Sequence, residues 1–219
     1  IMQSGSCWNL TPMVAVDNSA SGVGRGRVVL EALGCSGDDE VACLRSKTVD
    51  ELLTAQTTEG VEIGLIVEGA GGLLPSQPMD AFEAGLTPDR PVLLGSNRHE
   101  SSLWEVGNSY TPESYRNWVR GWVNTFFTNR DFAAYVYDSL MSMYPATNDS
   151  EAWWARVAMN TDIWFTCPAL AVAKVASGGS EPAYAYFFDH TPENSPLSAL
   201  GASHGYELSF LFGTPDQMG

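Results

Sequence analysis

The chain has few basic residues and no cluster of them. Of its 219 residues, 11 are Lys or Arg and 26 are Asp or Glu, which gives a formal net charge of −15. A surface of this charge repels a nucleic-acid backbone and an anionic membrane. We therefore expect neither among its partners. The acidity indicates solubility, with attraction of cationic substrates towards a cleft as the alternative.

Long apolar runs are also missing. No apolar stretch reaches the roughly 18 residues of a bilayer span, so no membrane-spanning segment is expected. The hydrophobic share of 44% is nevertheless enough for a sizeable core. Ile1–Gln3 opens as if within a strand, and 216–219 end without a closing element. We expect a fragment that forms a single partial domain over residues 1–219.

The four cysteines are Cys7, Cys35, Cys43 and Cys167, and they show no metal-binding spacing. No CxxC pair occurs, so we expect no metal site. Cys35 and Cys43 flank a polar, turn-rich segment, which suits either a small disulfide loop or two buried free thiols.

A glycine-rich stretch at 60–78 has neither a GxGxxG pattern nor a lysine in the P-loop position. We interpret this stretch as a surface loop. With no metal site and no phosphate cradle, no cofactor is expected.

Short apolar runs bounded by turn residues predict buried strands at Ile1–Gln3, Pro91–Gly95 and Ala183–Phe188. Helical patterns fill the intervals: Arg25–Leu33, a helix from Val49, Pro112–Val123, Asp131–Met143, Ser150–Trp164 and Pro168–Val175. Strands separated by long helical segments indicate an α/β fold with a largely parallel sheet.

Glu100 and His204 occupy positions that are typical of presented side chains. Glu100 follows a predicted strand, and ligands of open α/β sheets bind at that edge; His204 lies in a loop flanked by Ser and Gly. A histidine can act as a general base near neutral pH when a carboxylate orients it. For a glutamate and a histidine this far apart in sequence, the alternative is that they do not contact each other and have only structural roles, which is the commoner case for these residue types.

Several segments match motifs of one known group. Ile1–Ser6 is similar to ILQSGS, Leu93–Glu100 to an LLGxNxDEG-type segment, and Ser203–Leu208 with Phe212-Gly213 to HGxEIxxxFG. Cys167–Ala169 matches a helix-start cysteine. In this order along the chain, the segments resemble type-B carboxylesterases, the group that contains cholinesterases and juvenile hormone esterases.

The resemblance implies a partial α/β-hydrolase fold with a mostly parallel sheet flanked by helices, incomplete at both ends. It implies a serine carboxylic-ester hydrolase that works through an acyl-enzyme, with Glu100 orienting His204 and a small-molecule ester as substrate. The nucleophilic serine of the family's GESAG elbow is expected upstream of Ile1. We therefore expect the chain alone to be inactive.

Further roles follow from the same resemblance. Cys35 and Cys43 match the family's small disulfide loop, which indicates a secreted protein, whereas Cys167 is expected to be free. Ser4 corresponds to a serine near the histidine; a strand-end serine that satisfies the backbone is the alternative. Glu207 either tunes the field of the site or is an ordinary carboxylate at a helix start.

Three residues are candidates for the substrate pocket. Leu103 stands where cholinesterases place an aromatic residue that holds a quaternary ammonium, which argues against choline esters. Leu65 falls near the position that narrows the cholinesterase acyl pocket, and its smaller side chain favours a larger acyl group. Trp104 either lines an aromatic gorge or packs in the core.

Two alternatives concern the nucleophile and the activity. Gly201–Gly205 satisfies the GxSxG pattern, which would make Ser203 a nucleophile, but the segment before it reads as a loop and not as the strand that the elbow requires. The family also includes cholinesterase-like adhesion proteins that keep the fold and lose the triad. A non-catalytic binding protein is therefore the alternative function.

Overall fold

The computed structural model describes residues 1–5, 11–12, 21–61, 64–86, 90–191, 193 and 195–214. The chain forms two compact units: one comprises Ile1–Ser6 and Asp89–Gly219, and the other comprises Cys7–Pro88. Glu100 and His204 both belong to the first, larger unit. The expectation of a single domain stays a prediction.

The larger unit opens with strand β1 (Met2–Gln3). The smaller unit then contains β2 (Thr11–Pro12), α1 (Gly22–Ala32), α2 (Glu40–Ser46), α3 (Val49–Thr58), β3 (Ile66–Val67) and α4 (Pro78–Glu83). Strands β2 and β3 pair in parallel. The stretch interpreted as a surface loop therefore includes a short strand, because its Ile-Val pair finds a partner far away in sequence.

Local side-chain chemistry explains where the helices of the smaller unit begin. Thr48 and Glu51 form a reciprocal capping box, so α3 starts at Val49 as predicted. The Asp39 side chain accepts the backbone N–H of Ala42 and caps α2. Cys35 and Cys43 form a disulfide with a Cα separation of 5.5 Å, which confirms the disulfide loop.

The larger unit continues with β4 (Val92–Asn97), α5 (Pro112–Phe126), α6 (Arg130–Met143), α7 (Asp149–Thr161), α8 (Cys167–Ala176), β5 (Ala183–Phe188) and α9 (Tyr206–Leu211). Its sheet has the order β1-β4-β5, and both pairings are parallel. The predicted α/β architecture is confirmed. Strand β4 runs two residues beyond the predicted Gly95, because Ser96 and Asn97 still pair with the end of β5.

The connection between α7 and α8 differs from the sequence prediction. The helix predicted to run to Trp164 ends at Thr161, and a π-helical turn, Asp162–Thr166, leads directly into α8. Pro168 has no N–H to donate and its ring clashes with the carbonyl four residues before it. The wider π-helical turn accommodates the proline without interrupting the helix. The two predicted helices are therefore nearly continuous.

Helices α5, α6 and α7 enclose the main hydrophobic core of the larger unit. Tyr115, Val119 and Val123 recur every four residues along α5 and form its buried stripe. They pack with Ala133 of α6 and with Ala152, Ala155 and Met159 of α7. The core fixes α7. This helix contacts the 3₁₀ turn Glu100–Glu105, because Trp153 of α7 donates to the Glu105 carbonyl.

Candidate functional site

Glu100 and His204 are brought together at the carboxyl end of the sheet. Glu100 begins a 3₁₀ turn, Glu100–Glu105, that follows β4 after a two-residue link. His204 lies between a second 3₁₀ turn, Ser198–Leu200, and helix α9. A parallel backbone bridge between His99 and Ser203 joins the two segments immediately before the two side chains. Residues 104 positions apart therefore share one site.

The carboxylate of Glu100 is fully buried and each oxygen is engaged. Its Oε2 atom lies 2.6 Å from Nδ1 of His204. Its Oε1 atom accepts the Ser4 hydroxyl at 2.5 Å and the backbone N–H of Asn97 at 2.6 Å. A buried carboxylate needs such donors, because water cannot reach it to solvate the charge. The contacts hold the carboxylate in one orientation towards the imidazole.

The electrostatics of His204 suit a proton acceptor. The hydrogen bond to Glu100 raises the pKa of His204 above its ordinary value, while partial burial opposes the rise and the charges of Glu100 and Glu207 add to it. With Nδ1 directed at Glu100, the other ring nitrogen, Nε2, is the position left for chemistry. The side chain is 36% exposed, so this nitrogen is within reach of a reactant.

Ser4 contacts the acid and not the histidine. Its backbone has a φ of 50°, a left-handed conformation that non-glycine residues rarely adopt, and its N–H donates to the Gly95 carbonyl at 3.0 Å. This conformation directs the hydroxyl at Glu100 Oε1. Any positioning effect of Ser4 on His204 is therefore transmitted through the carboxylate.

Glu207 is tied to the same site by a residue that the sequence did not single out. The Asn97 side-chain amide donates to Glu207 Oε2 at 2.5 Å and to the Ser203 carbonyl at 2.7 Å. Glu207 lies in the first turn of α9 and is buried. Asn97 thus connects the end of β4 to the segment on both sides of His204. Its position at the end of a strand, within the LLGxNx motif, is a signal that would have pointed to it.

Ser203 is not presented as a nucleophile. It is fully buried, and its Oγ accepts a hydrogen bond from the Ser102 hydroxyl at 2.9 Å. The 3₁₀ turn Ser198–Leu200 precedes it, whereas a nucleophile elbow follows a strand. Its hydrogen bond to Ser102 links the histidine loop to the 3₁₀ turn of Glu100.

Two aromatic rings stand beside the imidazole of His204. The Trp104 ring lies 5.0 Å away and the Phe165 ring 5.8 Å away, measured between centroids, and the two stack on each other at 6.0 Å. Trp104 is 56% exposed, so it is a surface aromatic at the site and not a core residue. Leu103 beside it is also exposed. We call Trp104 and Phe165 the aromatic wall.

The sequence did not indicate that Phe165 lies at the site. It lies within the π-helical turn, where the added residue changes which side chains face the site. A regular helical pattern gives no indication of such a turn, and only Pro168 hints at it.

The far end of the 3₁₀ turn is fixed by a buried ion pair. Glu105 Oε1 accepts Arg156 Nε at 2.9 Å, and its Oε2 accepts the Tyr110 hydroxyl at 2.5 Å. Burial alone would raise the pKa of Glu105, but the hydrogen bonds from Arg156 and Tyr110 hold the pKa below its ordinary value. The turn that begins at Glu100 and carries Trp104 is thereby anchored to α7.

The remaining predicted residues lie elsewhere. Leu65 is in the smaller unit, in the loop before β3, and is exposed; its assignment to the acyl pocket stays a prediction. Cys167 is an exposed residue with a free thiol. Partial burial of the thiol, together with the charge of Asp162, raises its pKa. Cys7 lies outside the described residues.

The described residues contain neither a membrane span nor a metal-binding cluster. None of the described helices has the length and apolar character needed to cross a membrane. Over the same residues, no group of three or more His, Cys, Asp and Glu side chains is arranged to hold a metal ion.

Relatives of the chain include an esterase. It is 28% identical over 203 residues to the cAMP-regulated D2 protein of Dictyostelium discoideum, covering 85% of this chain and 36% of that protein. It is 24% identical over 205 residues to neuroligin-2 of Rattus norvegicus, covering 86% and 24%. It is 26% identical over 223 residues to the para-nitrobenzyl esterase of Bacillus subtilis (strain 168), covering 99% and 41%.

The chain thus spans between 24% and 41% of the length of these relatives. The sequence profile of the carboxylesterase family matches residues 1–218, almost the whole chain. This match agrees with the parallel sheet and with the placement of an acid and a histidine at its carboxyl edge. The protein therefore belongs to the carboxylesterase family.

Proposed function

We propose that the chain supplies the acid and the base of a serine carboxylic-ester hydrolase. The observation that carries this proposal is the 2.6 Å contact between Glu100 Oε2 and His204 Nδ1 at the carboxyl edge of a parallel sheet. A family model over the whole chain and a para-nitrobenzyl esterase among its relatives support it. The proposal takes the nucleophilic serine from sequence upstream of Ile1, in keeping with the chain order serine, acid, histidine of α/β-hydrolases.

The proposed reaction has two halves. His204 Nε2 takes the serine proton as the serine oxygen bonds to the ester carbonyl carbon, and the imidazolium then returns that proton to the departing alcohol. Water repeats the sequence on the acyl-enzyme and releases the acid and free serine. Glu100 stabilises the imidazolium in both halves, because its Oε2 atom faces Nδ1.

The surroundings of His204 favour a small-molecule ester that presents an apolar group to the aromatic wall. Trp104 and Phe165 offer apolar surface beside the imidazole, and Leu103 provides no aromatic face for a quaternary ammonium. The Cys35–Cys43 disulfide supports an extracellular location, since disulfides persist in oxidising compartments.

The alternative is a non-catalytic, cholinesterase-like adhesion protein, and a neuroligin is among the relatives. The contacts around Glu100 favour the enzyme. A fully buried carboxylate with three donors, directed at an accessible histidine, is costly to maintain and serves no evident purpose in a binding protein.

The test uses protein that includes the sequence encoded before Ile1, assayed with aryl esters of increasing acyl length. We expect hydrolysis that falls about 10⁴-fold in Glu100→Gln, as when the acid of a catalytic triad is neutralised, and at least as far in His204→Gln. Cys167→Ser, which alters an exposed free thiol, is the matched control and should retain activity. Absence of hydrolysis in well-folded protein with an intact upstream serine would favour the adhesion alternative.

A further inference from the structure

His99 is joined to the loop of His204 by two hydrogen bonds. Its backbone N–H donates to the Ala202 carbonyl at 3.0 Å, and the Ala202 N–H donates to His99 Nδ1 at 3.1 Å. Ala202 is fully buried and precedes His204 by two residues. The imidazole of His99 is therefore part of the support that sets the position of the second histidine.

The second of these bonds depends on the protonation state of His99. Nδ1 can accept the Ala202 N–H only when it carries no proton, which requires the neutral tautomer with its proton on Nε2. An imidazolium carries a proton on both nitrogens. Protonation would thus set two donors against each other and leave a buried backbone N–H without its acceptor.

The surroundings of His99 prevent an easy escape. A β-carbon at Gly201 would overlap the imidazole of His99, so the loop backbone passes directly against the ring. On another side the ring makes an edge contact with Trp154 of α7, at 4.8 Å between centroids. A protonated ring must move away from the loop, or the loop must move away from it.

The charges around His99 favour its neutral form. Burial and the neighbouring Arg98 lower the pKa of His99, and Asp189 at the end of β5 opposes them in part. Arg98 and Asp189 form an exposed ion pair with each other at 2.7 Å. The other titratable groups nearby are Glu100 and His204, which directly follow the bridged residues His99 and Ser203, and Glu207 on α9. Helix α7 faces the ring with the uncharged side chain of Trp154. Protonation of His99 accordingly requires a pH below the ordinary range of histidine.

We propose that His99 is an acid-sensitive positioning residue, which holds the His204 loop in register when its imidazole is neutral and releases it when protonated. The LLGxNxDEG-type motif has an aspartate at this position, and an ionised carboxylate accepts a hydrogen bond down to a pH of about 4. The histidine makes acceptance of the Ala202 N–H depend on the protonation state of an imidazole. We call the hydrogen bond from the Ala202 N–H to His99 Nδ1 the latch. The effect of the latch on ester hydrolysis rests on the proposed function, whereas the latch itself does not.

NMR of the whole chain tests the latch without an activity assay. The chain has three histidines, so the imidazole ¹⁵N signals of His99, His190 and His204 can be assigned and titrated separately. We expect Nδ1 of His99 to be unprotonated at neutral pH. The hydrogen-exchange protection factor of the Ala202 amide should fall at least about tenfold as His99 becomes protonated. A protonated Nδ1 at neutral pH would overturn the proposal. This measurement is made on the original chain and needs no variant.

Two variants separate the latch from the catalytic proposal. His99→Asn places an amide oxygen close to the position of Nδ1 and does not titrate, so Ala202 protection should no longer follow pH. His204→Gln removes the proposed base and should leave the His99-linked loss of protection intact. If Ala202 protection follows pH in His99→Asn as it does in the original protein, the latch is refuted whatever becomes of the esterase proposal.

Discussion

Arg156 Nε donates to Glu105 Oε1 at 2.9 Å while its guanidinium lies over two aromatic rings, 4.5 Å from the centre of Tyr110 and 4.2 Å from that of Trp118. The pair is largely shielded from water, with side-chain exposures of 19% and 7%. Glu105 closes the short turn that starts at Glu100. The ion pair therefore fixes one end of the segment whose other end carries the proposed catalytic acid.

Removal of one partner of this pair should be strongly destabilising. Glu105→Ala leaves the partly buried Arg156 guanidinium without its carboxylate, and we expect a loss of about 1.5–3 kcal/mol in the free energy of unfolding, measured with urea. Asp189→Asn disrupts the exposed pair with Arg98 and should cost less than about 1 kcal/mol. Equal losses in the two variants would show that shielding from water is not what gives the Glu105 pair its strength.

Glu100→Gln should lower the pKa of His204, measured by NMR titration of the chain. The hydrogen bond from the carboxylate is the main cause of the raised pKa, and an amide cannot stabilise the imidazolium in the same way. In the active enzyme, a raised pKa moves the acid limb of the pH-rate profile to higher pH, since the base must be neutral to act. An unchanged pKa in the variant would contradict the assigned pairing.

The same pKa shift predicts how stability depends on pH. Because folding raises the pKa of His204, the imidazolium–carboxylate pair contributes stability below the ordinary histidine pKa of about 6.5. That contribution is lost as the pH rises through the raised value in the folded protein. Urea unfolding at a series of pH values should show the loss in the original chain and not in His204→Gln.

Ser4→Ala should destabilise the protein by about 1.5–3 kcal/mol, because the buried carboxylate of Glu100 loses one of its donors. The control is Ser142→Ala, an exposed position in α6, where we expect a change within about 0.5 kcal/mol. Chemical denaturation of both variants measures the difference. A Ser4 variant as stable as the original would mean that water replaces the hydroxyl at no cost.

The disulfide should contribute modestly to stability because its loop is short. With a sequence separation of 8 between Cys35 and Cys43, the loss of loop-closure entropy in the unfolded chain stabilises the folded protein by about 2.5 kcal/mol. The double replacement Cys35→Ser with Cys43→Ser should lose that amount in urea unfolding. Cys167→Ser, at the free thiol, should be neutral by comparison.

The regular elements could be predicted from the sequence because their determinants are local. Strand β5 occupies the predicted residues Ala183–Phe188, and α3 starts after its capping threonine. Proline and polar caps placed the starts of α5 and α6 within a residue. The carboxyl-edge position of Glu100 and the loop position of His204 followed from the same local patterns.

What could not be predicted depends on contacts between distant residues. The contact of Ser4 with Glu100 arises because β1 and β4 pair in register, with Gln3 opposite Gly95. The bond from Ala202 to His99 requires two loops to meet, and no spacing in the chain specifies that meeting. Sequence motifs pointed to the acid, to the histidine and to Ser4 and Glu207 as possible support, but not to Asn97 or to the acceptor role of His99.

Because of the π-helical turn before Pro168, the position of the aromatic wall depends on the number of residues in that turn. Residues 162–166 form one turn that is a residue longer than an ordinary α-helical turn, and Phe165 reaches His204 from within it. Deleting a single residue there would favour an ordinary helical turn and rotate Phe165 by roughly 100° about the helix axis. A one-residue deletion in a segment that makes no hydrogen bond to Glu100 or His204 could therefore change the substrate side of the site while leaving the acid and the histidine in contact.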